Sequence, residues 1–103
     1  MKEKQILVVI KRPGALPEVE PMFPNELEAF QKAVGGYIET VTLATDLTLI
    51  CNEEGRLLNL PYNVKICGID FYGTVIAAGV KGDEFASLRA ASVPFIRSLL
   101  QRR

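Results

Sequence analysis

The chain has 103 residues, 49% hydrophobic and 23% charged, the balance of one globular domain with a modest core. Twelve basic side chains cancel twelve acidic ones, so no global field draws the protein onto nucleic acid or an anionic membrane, and no apolar run approaches the ~20 residues of a membrane span. Histidine is absent, which removes the commonest general base and the commonest metal ligand.

Gln5 to Lys11 is apolar and β-branched, a strand expected to be buried on both faces. Lysines precede it, as in a signal peptide. The apolar run Ile6 to Ile10 is shorter than the ~7–15 residues such a signal needs, and charge returns at Lys11 and Arg12. The expectation is a cytoplasmic protein that keeps its start. "RPGALPEVEPMFPN" carries four prolines between Pro13 and Pro24, and reads as an extended connection without secondary structure. A rigid strap is the preferred reading and a mobile flap the alternative.

Asn25 is placed to cap a helix, with Glu28 at the third helical position. Leu27, Phe30, Ala33 and Val34 form its apolar face, and Gly35-Gly36 ends it. Tyr37 to Leu43 has strand composition, Ala44 to Asp46 reads as a turn, and Leu47 to Asn52 alternates as a second strand. Glu53-Glu54-Gly55 predicts a tight hairpin with glycine at positive φ, from which Arg56 to Leu60 returns until Pro61 stops it. Asn63 is expected to cap a short turn through Val64 to Cys67. Phe71 to Val80 predicts a central strand, its small residues allowing a helix to cross closely. "KGDEF" is a turn. Ser87 is placed to cap a C-terminal helical segment that reaches Arg103. Within it Pro94 demands either a helix start near Val93 or a break, and Phe95, Ile96, Leu99 and Leu100 form the expected buried stripe.

This order predicts one α+β domain over residues 1–103, a mixed or antiparallel sheet of about four to five strands with two helices packed on one face.

Chemistry is sparse. Cys51 and Cys67 read as small hydrophobes near strand ends, and two cysteines without histidine make no zinc site. Ser87, Ser92 and Ser98 have no histidine to activate them. Arg97, Arg102 and Arg103 complement the dipole of the last helix. Two polar groupings remain. In "CNEEGRLLNLPYN", residues 51–63, Asn52, Glu53, Glu54, Arg56, Tyr62 and Asn63 offer amide donors and acceptors, a flat aromatic face and a guanidinium fork. Loop asparagines satisfying the backbone are the plainer explanation of the same residues. At "KRPG", Lys11 and Arg12 end a buried strand where an anion could bind, or simply form a solvated terminus; no phosphate-loop spacing accompanies them.

Taken together, "VGGYIETV" and "LICNEEGRLLNLPYN" followed by an apolar strand with an early glycine resemble a small uncharacterised domain family of bacteria, phages and plasmids. The resemblance covers residues 5–88. It implies a strand with a proline-glycine end, a helix closed by the Gly-Gly block, an Asn-Glu-Glu-Gly turn and a Leu-Pro-x-Asn step. The chain departs from that pattern after Phe85, where a continuous helix is usual and Pro94 intervenes. The family carries no established activity, so the resemblance implies context: accessory factors of mobile elements that bind host proteins or small signalling molecules.

The expected function is therefore that of a non-enzymatic, homo-oligomeric binding protein without cofactor or metal. Its partner is a small nucleotide-like ligand or a host protein, met through Lys11, Arg12, Asn52, Glu53, Glu54, Arg56, Tyr62 and Asn63. Alternatives are a protein-interaction module without small ligand, and a hydrolase using Glu53 or Glu54 as general base.

Overall fold

The computed structural model of the protein describes residues 2–101. The elements in chain order are β1 (Gln5–Lys11), β2 (Glu18–Pro24), α1 (Leu27–Val34), β3 (Ile38–Ala44), β4 (Leu47–Asn52), β5 (Tyr62–Ile66), β6 (Ile69–Tyr72), β7 (Val75–Lys81), β8 (Glu84–Ala86) and α2 (Val93–Leu100), the last entered through a short 3-10 turn at Ala90–Ser92. The fold is α+β. Among the described residues one antiparallel sheet runs β2-β1-β7-β4-β3, with β8 paired to β7, and β5 and β6 form a separate hairpin.

The central strands are apolar on both faces, which dictates a layer on each side. Val9, Ala77 and Leu49 align across β1, β7 and β4 and face α2 together with the β5–β6 residues Val64, Ile66 and Phe71. Ile10, Ile76 and Ile50 align on the opposite face, under Phe30 and Val34 of α1. The helices therefore lie on opposite faces of the sheet. This corrects the expectation of both on one face: an apolar run in a central strand needs cover on both sides.

The proline-rich segment is also corrected. Residues 18–24 pair with β1 as an edge strand, with an irregularity between Ile6 and Val8. Proline is tolerated there because an outward edge position needs no amide hydrogen. Asn25 does not cap α1; the N-cap is Glu26, without a side-chain bond. Asn25 is buried instead, its amide donating to Glu3 O at 2.9 Å and Phe85 O at 3.0 Å. Gly35 does end α1, left-handed at φ 81°, its N–H bonded to Gln31 O.

After β4 the chain makes no tight hairpin and no return strand. Residues 53–60 form a coiled turn closed by Leu58 N–H to Glu54 O and Leu60 N–H to Gly55 O. Gly55 is required there for space, since a Cβ would stand 2.6 Å from Tyr72 O. Asn63 lies within β5 and caps nothing; a two-residue turn at Cys67 (φ 51°) and Gly68 (φ 80°) joins β5 to β6. Phe71 to Val80 is split between β6 and β7, and β7 is the central strand. Its close neighbour is the backbone at the end of β8 and just past it: a Cβ on Gly79 would meet Ala86 O at 2.9 Å and Ser87 O at 2.5 Å, where a crossing helix was expected. Ser87 ties β1 to this edge by accepting from Leu7 N–H at 3.0 Å. Of the two readings of Pro94 the helix start holds, with α2 beginning at Val93. Ile96 and Leu100 are buried as expected, but Phe95 is 62% exposed. Arg102 and Arg103 lie outside the described residues.

Candidate functional site

Six of the eight sequence-predicted residues divide between two depressions, and Arg12 and Glu54 line neither. Lys11, Tyr62 and Asn63 line a groove of about 510 Å³ together with Gly14, Leu16, Pro17 and Gln101. Asn52, Glu53 and Arg56 line a smaller cleft of about 140 Å³ between β3 and the β5–β6 hairpin, which also takes in Glu39, Asp70 and Tyr72.

The groove has the more unusual chemistry. Lys11 follows Leu7 and Val9 in the strand alternation, so its side chain enters the face under α2, and it is only 7% exposed. Its ammonium donates to Asn63 Oδ1 at 2.8 Å and to Arg12 O at 3.0 Å. Asn63, also 7% exposed, returns two bonds of 2.7 Å from Nδ2, to Lys11 O and Gly73 O. One amide thus ties the end of β1 to the bend between β6 and β7 and orients the ammonium. A charge so shielded from water acts more strongly than one on the surface. Arg12 is different: its guanidinium lies outside, 3.0 Å from Glu18 across the β1–β2 connection, an exposed pair of about 0–1 kcal/mol. The solvated-terminus reading therefore holds for Arg12 and fails for Lys11.

Tyr62 stands half-exposed at the rim. Its hydroxyl donates to Asp70 Oδ1 at 3.1 Å, and its ring meets that of Tyr72 edge-on at 5.5 Å. Desolvation first, then the bond to Asp70, raises its pKa above the ordinary tyrosine value of 10.0, so it stays a phenol at neutral pH. Tyr72 also takes the Arg56 guanidinium over its ring at 5.6 Å. The pair Tyr62–Tyr72 stands between groove and cleft.

In the cleft Asn52 is structural. Its Nδ2 donates to Val34 O at 3.1 Å, and its Oδ1 accepts the Glu54 N–H at 2.7 Å. This side-chain turn locks the end of α1 to the 53–60 loop. Glu53 and Glu54 are exposed, so neither carboxylate has the desolvated setting that suits a general base. Cys51 is buried, and burial first, then Glu39, pushes its thiol up to about 11. It sits in the core as a thiol whose burial disfavours the thiolate. No group of histidine, cysteine, aspartate or glutamate among the described residues could hold a metal. A further depression of about 400 Å³ beside α2 contains Asp46, Arg89, Glu3 and Ser87. There Arg89 pairs with Asp46 at 3.2 Å, an exposed ion pair, and the Ser87 hydroxyl donates to the Glu3 carboxylate at 3.1 Å.

Sequence reasoning named Lys11 and Asn63 but not their union, and missed Tyr72, Asp70 and Gln101. The usable signal was the parity of Leu7, Val9 and Lys11 on one strand face.

A family model described as a domain of unknown function, DUF3846, matches residues 4–100. The chain belongs to this family. The DUF3846 match runs past the 5–88 stretch of the resemblance and includes α2, so the Val93 helix start lies within the domain. No curated protein and no solved structure matches the chain. No helix of the described residues is long and apolar enough to cross a membrane.

Proposed function

We propose that this DUF3846 chain is a non-enzymatic, cytoplasmic binding protein that holds a small anionic, ring-bearing molecule of nucleotide type in the Lys11 groove. The observation that carries the reading is the Lys11 ammonium, fixed by Asn63 in the wall of a groove of about 510 Å³ that has the half-exposed Tyr62 ring at its rim. The ammonium supplies charge to an anionic group, and the aromatic ring supplies a face for a base. Both are held by bonds to neighbouring strands, so little freedom is lost on binding. The resemblance to phage and plasmid proteins supports a host-modulating role, sequestering a signalling molecule.

The test is native mass spectrometry of gently purified protein before and after denaturation, with Lys11→Met and Tyr62→Ala alongside. Extra mass that leaves on denaturation and is lost in both variants is the expected result. Tyr62 is a surface residue, so its variant folds even if Lys11→Met does not. An adduct kept by both variants, or the absence of any adduct together with no thermal shift from a panel of mono- and dinucleotides, overturns the reading.

One observation favours a second reading, a host protein docked without small ligand. Leu57 and Leu58, 80% and 54% exposed, are adjacent on the 53–60 loop. Loss of a captured host protein in a Leu57→Asp/Leu58→Asp variant, with no small adduct in the wild type, supports that alternative.

A further inference from the structure

The two edges of the large sheet are protected unequally. β2 carries Pro21 and Pro24, which cannot donate, and the charges of Glu18 and Glu20. These are standard guards against edge-to-edge pairing. β3, at the other edge, reads Ile38-Glu39-Thr40-Val41-Thr42, with no proline, no lysine and four β-branched residues in five. An irregularity between Thr42 and Ala44 ends the run.

The direction of the backbone groups follows from three bonds. Thr48 Oγ1 donates to Val41 O at 3.2 Å, Cys51 Sγ to Glu39 O at 3.7 Å, and Glu53 N–H to Tyr37 O at 2.9 Å. The carbonyls of 37, 39 and 41 thus turn inward to β4. Antiparallel alternation then turns the N–H and C=O groups of Ile38, Thr40 and Thr42 outward. Among the described residues no strand pairs with that edge.

We infer that β3 is a dimerisation strand, joining two copies of this chain edge to edge in an antiparallel pair with its two-fold axis at Val41. In this register Thr40 of each copy faces Thr42 of the other, both with outward backbone groups, which makes four N–H···O bonds. Val41 meets its own copy, a favourable β-branched pair. Glu39 faces Leu43, and the two Glu39 carboxylates stand four residues apart along the strands, about 14 Å. That exceeds the screening length of about 8 Å at physiological salt. A two-fold at Thr40 would set the same carboxylates on a diagonal of about 7–8 Å. Charge therefore selects the Val41 register. Pairing also covers Val41 and Leu43, which pack only partly buried against the α2-side core. The inference is independent of the ligand reading, because no residue of β3 lines the Lys11 groove.

A contact this short belongs to the small, concentration-dependent class of interfaces. The experiment is sedimentation velocity or light scattering across a wide concentration range, on wild type, Thr40→Pro, Thr42→Lys and, as a control on the guarded edge, Val19→Lys. The expected result is a mass rising with concentration from 11.4 kDa to twice that value for wild type and Val19→Lys, and 11.4 kDa throughout for the two β3 variants. Thr40→Pro removes an outward donor and leaves the bonds to β4 in place. Circular dichroism verifies that each variant is folded, and if Thr40→Pro is not, Thr42→Lys decides. A wild type that stays monomeric at every concentration, or an oligomer that survives in a folded β3 variant, overturns the inference.

Discussion

Replacing Asn63 with leucine keeps the number and branching of its heavy atoms and removes all three of its hydrogen bonds. Two neutral bonds to Lys11 O and Gly73 O are lost, at about 1 kcal/mol each, and one bond from the Lys11 ammonium, at about 1.5–3 kcal/mol. The sum is about 4 kcal/mol, a large part of the roughly 5–15 kcal/mol that stabilises a domain. With a urea slope of about 2 kcal/mol/M the unfolding midpoint falls by about 2 M. The loss arises because both carbonyls and the ammonium lose the partner that the amide supplied. Adding Lys11→Met removes the ammonium whose bond to Asn63 Oδ1 has been lost. The double variant should therefore recover part of the loss, a coupling of about 1.5–3 kcal/mol in the cycle. The measurement is equilibrium urea unfolding followed by circular dichroism, with the slope checked for each variant. A loss under about 1 kcal/mol at unchanged slope would refute the argument that Asn63 anchors the end of β1 to the β6–β7 bend.

Gly79→Ala should be costly, because the new methyl meets Ser87 O and Ala86 O at 2.5 and 2.9 Å, backbone atoms that cannot move aside without opening the β7–β8 pair. The expected cost is about 2 kcal/mol, read as a melting temperature lower by roughly 10 °C. Cys51 gives a pH signature. Its folded pKa is raised from 9.0 to about 11, so the protonated thiol's advantage is fully present below about pH 9 and is lost as pH rises toward 11. The contribution is about 2–3 kcal/mol, and stability measured from pH 8.5 to 11 should fall less steeply for Cys51→Ala than for wild type. Parallel slopes would show that this thiol does not titrate with unfolding.

Several features were legible in the sequence because their cause is local. Apolar, β-branched runs made β1 and β4, Gly35 stopped α1 through its own backbone freedom, and Pro94 forced α2 to start at Val93. The same reading of β1 as buried on both faces already contained the two-sided layering, against the expectation of helices on one face. The candidate site was legible only as residue types. Lys11 and Asn63 were named, but Arg12 was grouped with Lys11 although strand parity sends one side chain inward and the other out to Glu18.

What the sequence determined by itself is the set of elements whose dihedral preferences and periodicity are written within a few residues. The tertiary structure alone decided the rest. It made a strand of the proline-rich segment because β1 offered an edge, and it turned Asn25 from a cap into a staple between strands. It gathered Asn52 to the end of α1 and divided the polar residues of 51–63, Tyr62 and Asn63 going to the groove and Asn52, Glu53 and Arg56 to the cleft. It also joined Lys11 to Asn63 across 52 residues of chain. The physical reason is the same in each case: a buried polar group must find its partner, and the partner is supplied by whichever distant strand the packed core brings within about 3 Å.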